Sequence, residues 1–157
     1  MPHTACIAIG SNLGDREAVI RGAVASLQAH PEITVIAVAP LLANKAVGGP
    51  QGSPDFLNTA ACLETSLSPH ELLAVLFDIE RKHGRVRDAG ERDAPRTLDL
   101  DLLMHGSTVL RDEILELPHP RMTQRRFVLE PLAAIAPEAM PPVLKKTVRE
   151  LLDELQG

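Results

Sequence analysis

Aromatic side chains are almost missing from this chain, which holds three Phe and neither Trp nor Tyr. Any stacking surface for a flat ligand must therefore come from Phe56, Phe77 or Phe127. Cysteine is as scarce. Cys6 and Cys62 are flanked by apolar, strand-like residues, with no Cys or His at metal-ligand spacing, and read as reduced core residues. Excess positive charge is lacking too: 16 Lys and Arg against 21 Asp and Glu leave a formal net charge of -5. That balance disfavours a general nucleic-acid surface. No run approaches about 18 apolar residues, and the first ten residues carry no charged and apolar leader. The expectation is a cytoplasmic protein, monomeric, with neither nucleic acid nor membrane as a partner.

What is present is an ordinary globular composition. With 157 residues and 45% hydrophobic content, the chain reads as one domain over 1–157. Ala5 to Ile9 is a short apolar strand. Gly10-Ser11-Asn12-Leu13-Gly14 turns it into a helix starting near Asp15, with Ser11 and Asn12 as capping residues or, alternatively, as ligand contacts. Ile33 to Leu42 reads as a longer strand, and Phe56 to Thr65 as another. Ser68-Pro69-His70-Glu71 opens a second helix with a capping box and a proline at its first position, ending at Gly84. Leu72, Leu73, Leu76, Phe77 and Ile79 supply its apolar face, so Phe77 reads as core. Thr108 to Leu117 is a short strand or hairpin, Glu130-Pro131-Leu132 opens a helical segment, and Thr147-Val148-Arg149-Glu150 caps a last helix with Val148, Leu151, Leu152 and Leu155 as its stripe. The order strand, helix, strand, strand, helix, strand predicts an α+β domain on a ferredoxin-like split βαβ core, mostly antiparallel, with helices packed on one sheet face.

Between the second helix and the hairpin lies the stretch around which the rest is organised, Pro95-Arg96-Thr97-Leu98-Asp99-Leu100-Asp101-Leu102-Leu103-Met104-His105-Gly106. Its length, apolar content and flanking Pro and Gly suit a buried strand. Alternation puts Asp99 and Asp101 on one face, with Cα atoms about 6.6 Å apart. At an effective dielectric near 20, their repulsion is on the order of 2 kcal/mol. Two readings stand. The carboxylates sit on the solvated face of an edge strand, or they share a divalent cation whose remaining ligands are phosphate oxygens and water.

Two long loops frame this strand. Ala43 to Asp55 holds three Gly and two Pro and leads to Phe56 and Asn58, which share a strand face. An aromatic ring beside an amide suits a flat heterocycle; the alternative is Phe56 in the core and Asn58 in a turn. Arg85 to Ala94 is rich in both charges. Arg85, Arg87, Arg92 and Arg96 read either as a solvated surface or, beside a metal-binding pair, as a phosphate clamp. His119, between Pro118 and Pro120, is poorly placed for a core role.

Taken together, Ala8 to Asp15, Gly49-Pro50-Gln51 through Asp55-Phe56-Leu57-Asn58, Glu80 with Gly84-Arg85-Val86-Arg87, Ala94 to Leu103, and Pro118-His119-Pro120-Arg121-Met122 with Arg125 to Leu132 resemble the 6-hydroxymethyl-7,8-dihydropterin pyrophosphokinase family of folate biosynthesis. The resemblance spans nearly the whole chain. It implies an ATP-dependent diphosphokinase that transfers pyrophosphate from ATP to the hydroxymethyl group of the pterin, releasing AMP, with two Mg²⁺ ions. By position it implies Asp99 and Asp101 as metal ligands, Arg85, Arg96, Asp99 and Asp101 as catalytic residues, and Arg85, Arg87, Arg96, His119 and Arg125 at ATP. Phe56, Phe127, Asn58 and Gly49 fall at the pterin, the two rings as a sandwich and the amide at its edge. The chain departs from the family pattern at Leu42 to Gly48, where relatives carry an aromatic residue, and near Asp93, where they often carry Trp. Against this stand a non-catalytic ferredoxin-like ligand-binding module and an unrelated metal phosphohydrolase.

Overall fold

The computed structural model describes residues 3–12, 15–44, 56–83 and 98–156. The first strand is longer than apolarity alone suggests: β1 runs His3–Ser11. Helix α1, Arg16–Ala29, buries Ile20, Ala23 and Leu27. Its cap is Asp15, whose side chain accepts the Ala18 N–H at 3.1 Å, and not Ser11 or Asn12, which are buried at the end of the sheet. A carboxylate adjacent to the first turn also suits the helix dipole better than a neutral side chain three residues away.

The single long strand expected over 33–42 is two strands, β2 Ile33–Val38 and β3 Leu42–Asn44, both paired with β4, Phe56–Thr65. Pro40 sits in the gap, where it has no N–H to give a ladder. The ladder carries on around it through Ala39 N–H to Ala60 C=O at 2.9 Å, and Thr59 Oγ1 donates to Ala39 C=O at 2.7 Å. Helix α2, Pro69–Lys82, opens with the expected capping box: the Ser68 hydroxyl accepts the Glu71 N–H and the Glu71 carboxylate accepts the Ser68 N–H. It ends at His83. Phe77 packs against the core as a partly buried side chain, as expected.

Strand β5 is Asp99–His105. The small hairpin that follows pairs β6 Leu110–Arg111 with β7 Glu116–Leu117. After a 3₁₀ turn at Met122–Gln124 comes α3, Arg126–Ile135, then α4, Val148–Gln156. Pro131 lies inside α3 and does not open it. An interior proline costs about 3 kcal/mol, but Val128, Leu129 and Leu132 are all buried on this helix, and each such side chain contributes roughly 1.5–3 kcal/mol. Packing wins. On α4, Thr147 and Glu150 form the expected box, while Leu155 is 42% exposed and drops out of the stripe.

The main sheet has the order β2-β4-β1-β5, all neighbours antiparallel, with β3 beside β4. That is the ferredoxin-like arrangement. Ala5, Ile7, Ile9, Leu63, Leu98, Leu100 and Leu102 pack on one face with the apolar sides of α1 and α2. The opposite face, which the one-faced expectation left bare, is covered in part by α3 and α4 over Cys6, Ala60, Cys62, Leu103 and Met104. Cys6 and Cys62 are opposite each other on β1 and β4, free and buried, with sulfurs 3.9 Å apart. Their contact and burial push the Cys6 thiol up, so it is protonated and unreactive.

Candidate active site

The face under α3 ends in a row of short side chains. Gly10 on β1 lies between Asn58 on β4 and Asp99 on β5, and one step along, Ala8 lies between Ala60 and Asp101. Strands lie about 4.8 Å apart, so Asn58 and Asp99 are separated by about 10 Å across a floor of Gly and Ala. Gly10 and Ala8 on the central strand add little side-chain bulk between them. Asp99 and Asp101 share this face, while Leu98, Leu100 and Leu102 are buried on the other. The expected alternation therefore holds up to Leu102. The ladder then slips by one residue at Leu103, because Cys6 faces Met104 while Ile7 faces Leu102.

What fixes the carboxylate pair is partly Glu80. This carboxylate is 1% exposed near the end of α2 and accepts the Leu100 N–H at 2.8 Å. It ties the backbone between the two aspartates to the helix behind the sheet. Sequence reasoning gave Glu80 no role, although an acidic residue on the apolar side of α2 was the signal.

Asn58 is buried at 7% exposure and pairs in register with Gly10 and with Leu42; it is a strand residue and not part of a turn. Its Nδ2 has no hydrogen-bond partner among the described residues. Asn12, also buried, carries an Oδ1 with no partner among the described residues. An unmet buried donor or acceptor costs roughly 1–3 kcal/mol, so one of each, on neighbouring strand ends, marks a place shaped for a polar edge. Of the two readings of Asn12, the helix cap falls to Asp15 instead.

Phe127 sits in the first turn of α3 and packs against the cluster that holds Ala8 and Ala60. The Arg125 guanidinium lies over its ring at 5.8 Å from the centroid. His119 is placed by two bonds: its N–H donates to Leu103 C=O at 2.9 Å, and its Nδ1 accepts the Arg121 N–H at 3.1 Å. In the neutral ring the proton is then on Nε2. Burial lowers the His119 pKa, and Arg125 and Arg121 lower it further, against smaller opposing effects of Glu116 and Asp99. His119 and Arg125 thus belong electrostatically to the same neighbourhood as Asp99. A cluster of this kind, with a positive side and a carboxylate pair, suits a polyanion carrying its own cations.

Phe56 begins β4 opposite Asn44; its side chain, like Gly49, Arg85, Arg87, Arg92 and Arg96, lies outside the described residues. So do the two expected loops, apart from Ala43 and Asn44, which belong to β3. Among the described residues, no three or more His, Cys, Asp or Glu gather as a metal cluster. The Asp99–Asp101 pair nonetheless fits Mg²⁺: both are hard carboxylate donors, half-buried on the open face, and such ions take few protein ligands beside phosphate and water.

A family model described as 7,8-dihydro-6-hydroxymethylpterin-pyrophosphokinase matches residues 6–137. A 2-amino-4-hydroxy-6-hydroxymethyldihydropteridine pyrophosphokinase of Synechocystis sp. is 41% identical over 153 residues, covering 98% of this chain and 76% of its own. The enzyme of the same name from Bacillus subtilis is 45% identical over 135 residues, covering 86% of this chain and 79% of its own. In fold, the chain is similar to wild-type Plasmodium falciparum HPPK-DHPS crystallised with pteroate, at a TM-score of 0.72 and 14% identity, over 98% of this chain and 42% of that one. The sheet order, the paired aspartates on its open face and the match over most of the length lead to one assignment: the chain belongs to the 7,8-dihydro-6-hydroxymethylpterin-pyrophosphokinase family.

Proposed function

We propose that this chain transfers pyrophosphate from ATP to the hydroxymethyl oxygen of 6-hydroxymethyl-7,8-dihydropterin, a step of folate synthesis. The observation that carries the site assignment is the sharing of one sheet face by the Asp99–Asp101 pair, the unmet Asn58 donor and the α3 ring Phe127. The pterin hydroxyl oxygen forms a bond to the β-phosphorus. The bond from that phosphorus to the oxygen bridging to the α-phosphate breaks, AMP leaves, and the hydroxyl proton is released.

Each residue has a physical part in this. Asn58 Nδ2 and Asn12 Oδ1 meet the polar edge of the heterocycle, and Phe127 with Phe56 holds its faces. His119 donates from Nε2 to a phosphate oxygen while Arg121 N–H holds its Nδ1. Arg125, together with Arg85, Arg87 and Arg96, offers charge-assisted donors to the triphosphate. Gly49 lies with the pterin contacts. Asp99 and Asp101 would hold Mg²⁺, two ions with the nucleotide, which when bound neutralises phosphate charge. Transfer of this type rests on positioning and charge compensation more than on covalent chemistry by the protein. We read the chain as one domain over 1–157, monomeric and cytoplasmic. Among the described residues, no helix is long and apolar enough to cross a membrane.

The test is AMP release from ATP with Mg²⁺, with and without the pterin, on wild type, Asp99→Ala and Asp101→Ala. Release that requires the pterin and falls roughly 100-fold or more in each variant, with both variants folded, is expected. A hydrolase would release AMP or phosphate with water alone, and a binding module would release nothing; folded variants with normal turnover would remove the carboxylates from the mechanism.

A further inference from the structure

At the far end of β5 from Asp99, six residues and about 20 Å along the strand, two histidines lie side by side. His105 is 1% exposed, and its ring centroid is 5.0 Å from that of His3, an exposed residue at the start of β1. The slip in register at Leu103 is what brings His105 back to the α1/α2 face, opposite Ala5, so that it and His3 lie on the same side of the sheet. The His3 ring also reaches over the next residue, since a Cβ on Gly106 would come 3.7 Å from its Nδ1.

The hydrogen bonding of His105 is unequal. Its Nε2 lies 2.8 Å from the Leu67 carbonyl, which only accepts, so Nε2 carries the proton. In the neutral ring Nδ1 is then a lone pair, and it is buried with no partner among the described residues. A buried imidazole with one N–H fixed on a backbone carbonyl and the other nitrogen unprotonated is the arrangement that orients histidines at metal centres. The rings are tilted by 45° with centroids 5.0 Å apart, and two imidazole nitrogens about 2 Å from one tetrahedral ion would place their centroids about 5 Å apart.

We propose that His3 and His105 form a site for a d-block divalent cation of the Zn²⁺ class, completed by water. Imidazole ligands select Zn²⁺, Ni²⁺ or Cu²⁺, whereas Mg²⁺ prefers the carboxylates at the other end of the strand. The ion would clip the start of β1 to the end of β5, and because it binds the folded arrangement it raises stability by mass action.

The experiment is a Zn²⁺ titration of the full chain without an affinity tag, in millimolar Mg²⁺ to occupy the carboxylate region, followed by ring-nitrogen NMR of isotope-labelled histidine and by thermal melting. His3→Gln is the comparison, since His3 is exposed and outside the site proposed for ATP and pterin. Saturation of the His3 and His105 ring signals at one equivalent, a rise in melting temperature, and binding weakened about tenfold or more in His3→Gln are expected. Ring signals unmoved at saturating zinc, or equal affinity in His3→Gln, would overturn the site, and neither result would bear on pyrophosphate transfer.

Discussion

Asn58 holds a donor that the folded protein alone does not satisfy, and this makes it the residue whose two roles separate most cleanly. Replacing it by Leu keeps the branched shape and removes the buried polar group. Asn58→Leu should leave the free protein as stable as before or more stable by about 1 kcal/mol, while kcat/KM for the pterin falls at least roughly 100-fold and the KM for ATP barely moves. Denaturant melts with steady-state kinetics for each substrate check this. A variant that loses stability and keeps its pterin kinetics would show Asn58 to be merely structural.

His119 gives the pH dependence at the same scale. Burial, then Arg125 and Arg121, hold its pKa below the ordinary histidine value. The unfolded chain therefore binds its proton more readily, and the contribution of His119 to stability is present above about pH 6.5 and lost as pH falls through the lower folded value. A bound triphosphate offsets the two arginines and should raise that pKa. Titration of the His119 ring signals with and without a non-hydrolysable ATP analogue measures it, and an unchanged midpoint would place the phosphates elsewhere.

Among the elements, those signalled by local chemistry were legible: the capping boxes at Ser68 and Thr147 and the Asp99–Asp101 alternation stand as read. Replacing Ser68 by Ala should lower stability by about 1 kcal/mol through loss of the Glu71 N–H acceptor, with kcat unchanged; a melt within error of wild type would mean that packing alone sets this helix start. The elements misread were those in which two signals compete. Pro40 interrupts what apolar content presents as one strand, and Pro131 sits inside a helix because three buried neighbours outweigh it. Asn12 looked like a cap because caps are local, whereas its burial depends on strands that meet only in the folded sheet.

For the whole molecule, the order of elements was enough for the ferredoxin-like core, yet it could not say that α3 and α4 return to the second face and pack Phe127 against the apolar cluster there. That return depends on contacts distant in sequence. It also covers part of the sheet face that carries Asp99 and Asp101 on β5 and Asn58 on β4. Transfer of a pyrophosphoryl group to a pterin alcohol is followed through the phosphorus itself. With ATP labelled at the β-phosphate, the label is expected on the pterin as its diphosphate, in step with unlabelled AMP. Label recovered in ADP, in inorganic phosphate or in free pyrophosphate, with the pterin unchanged, would contradict it.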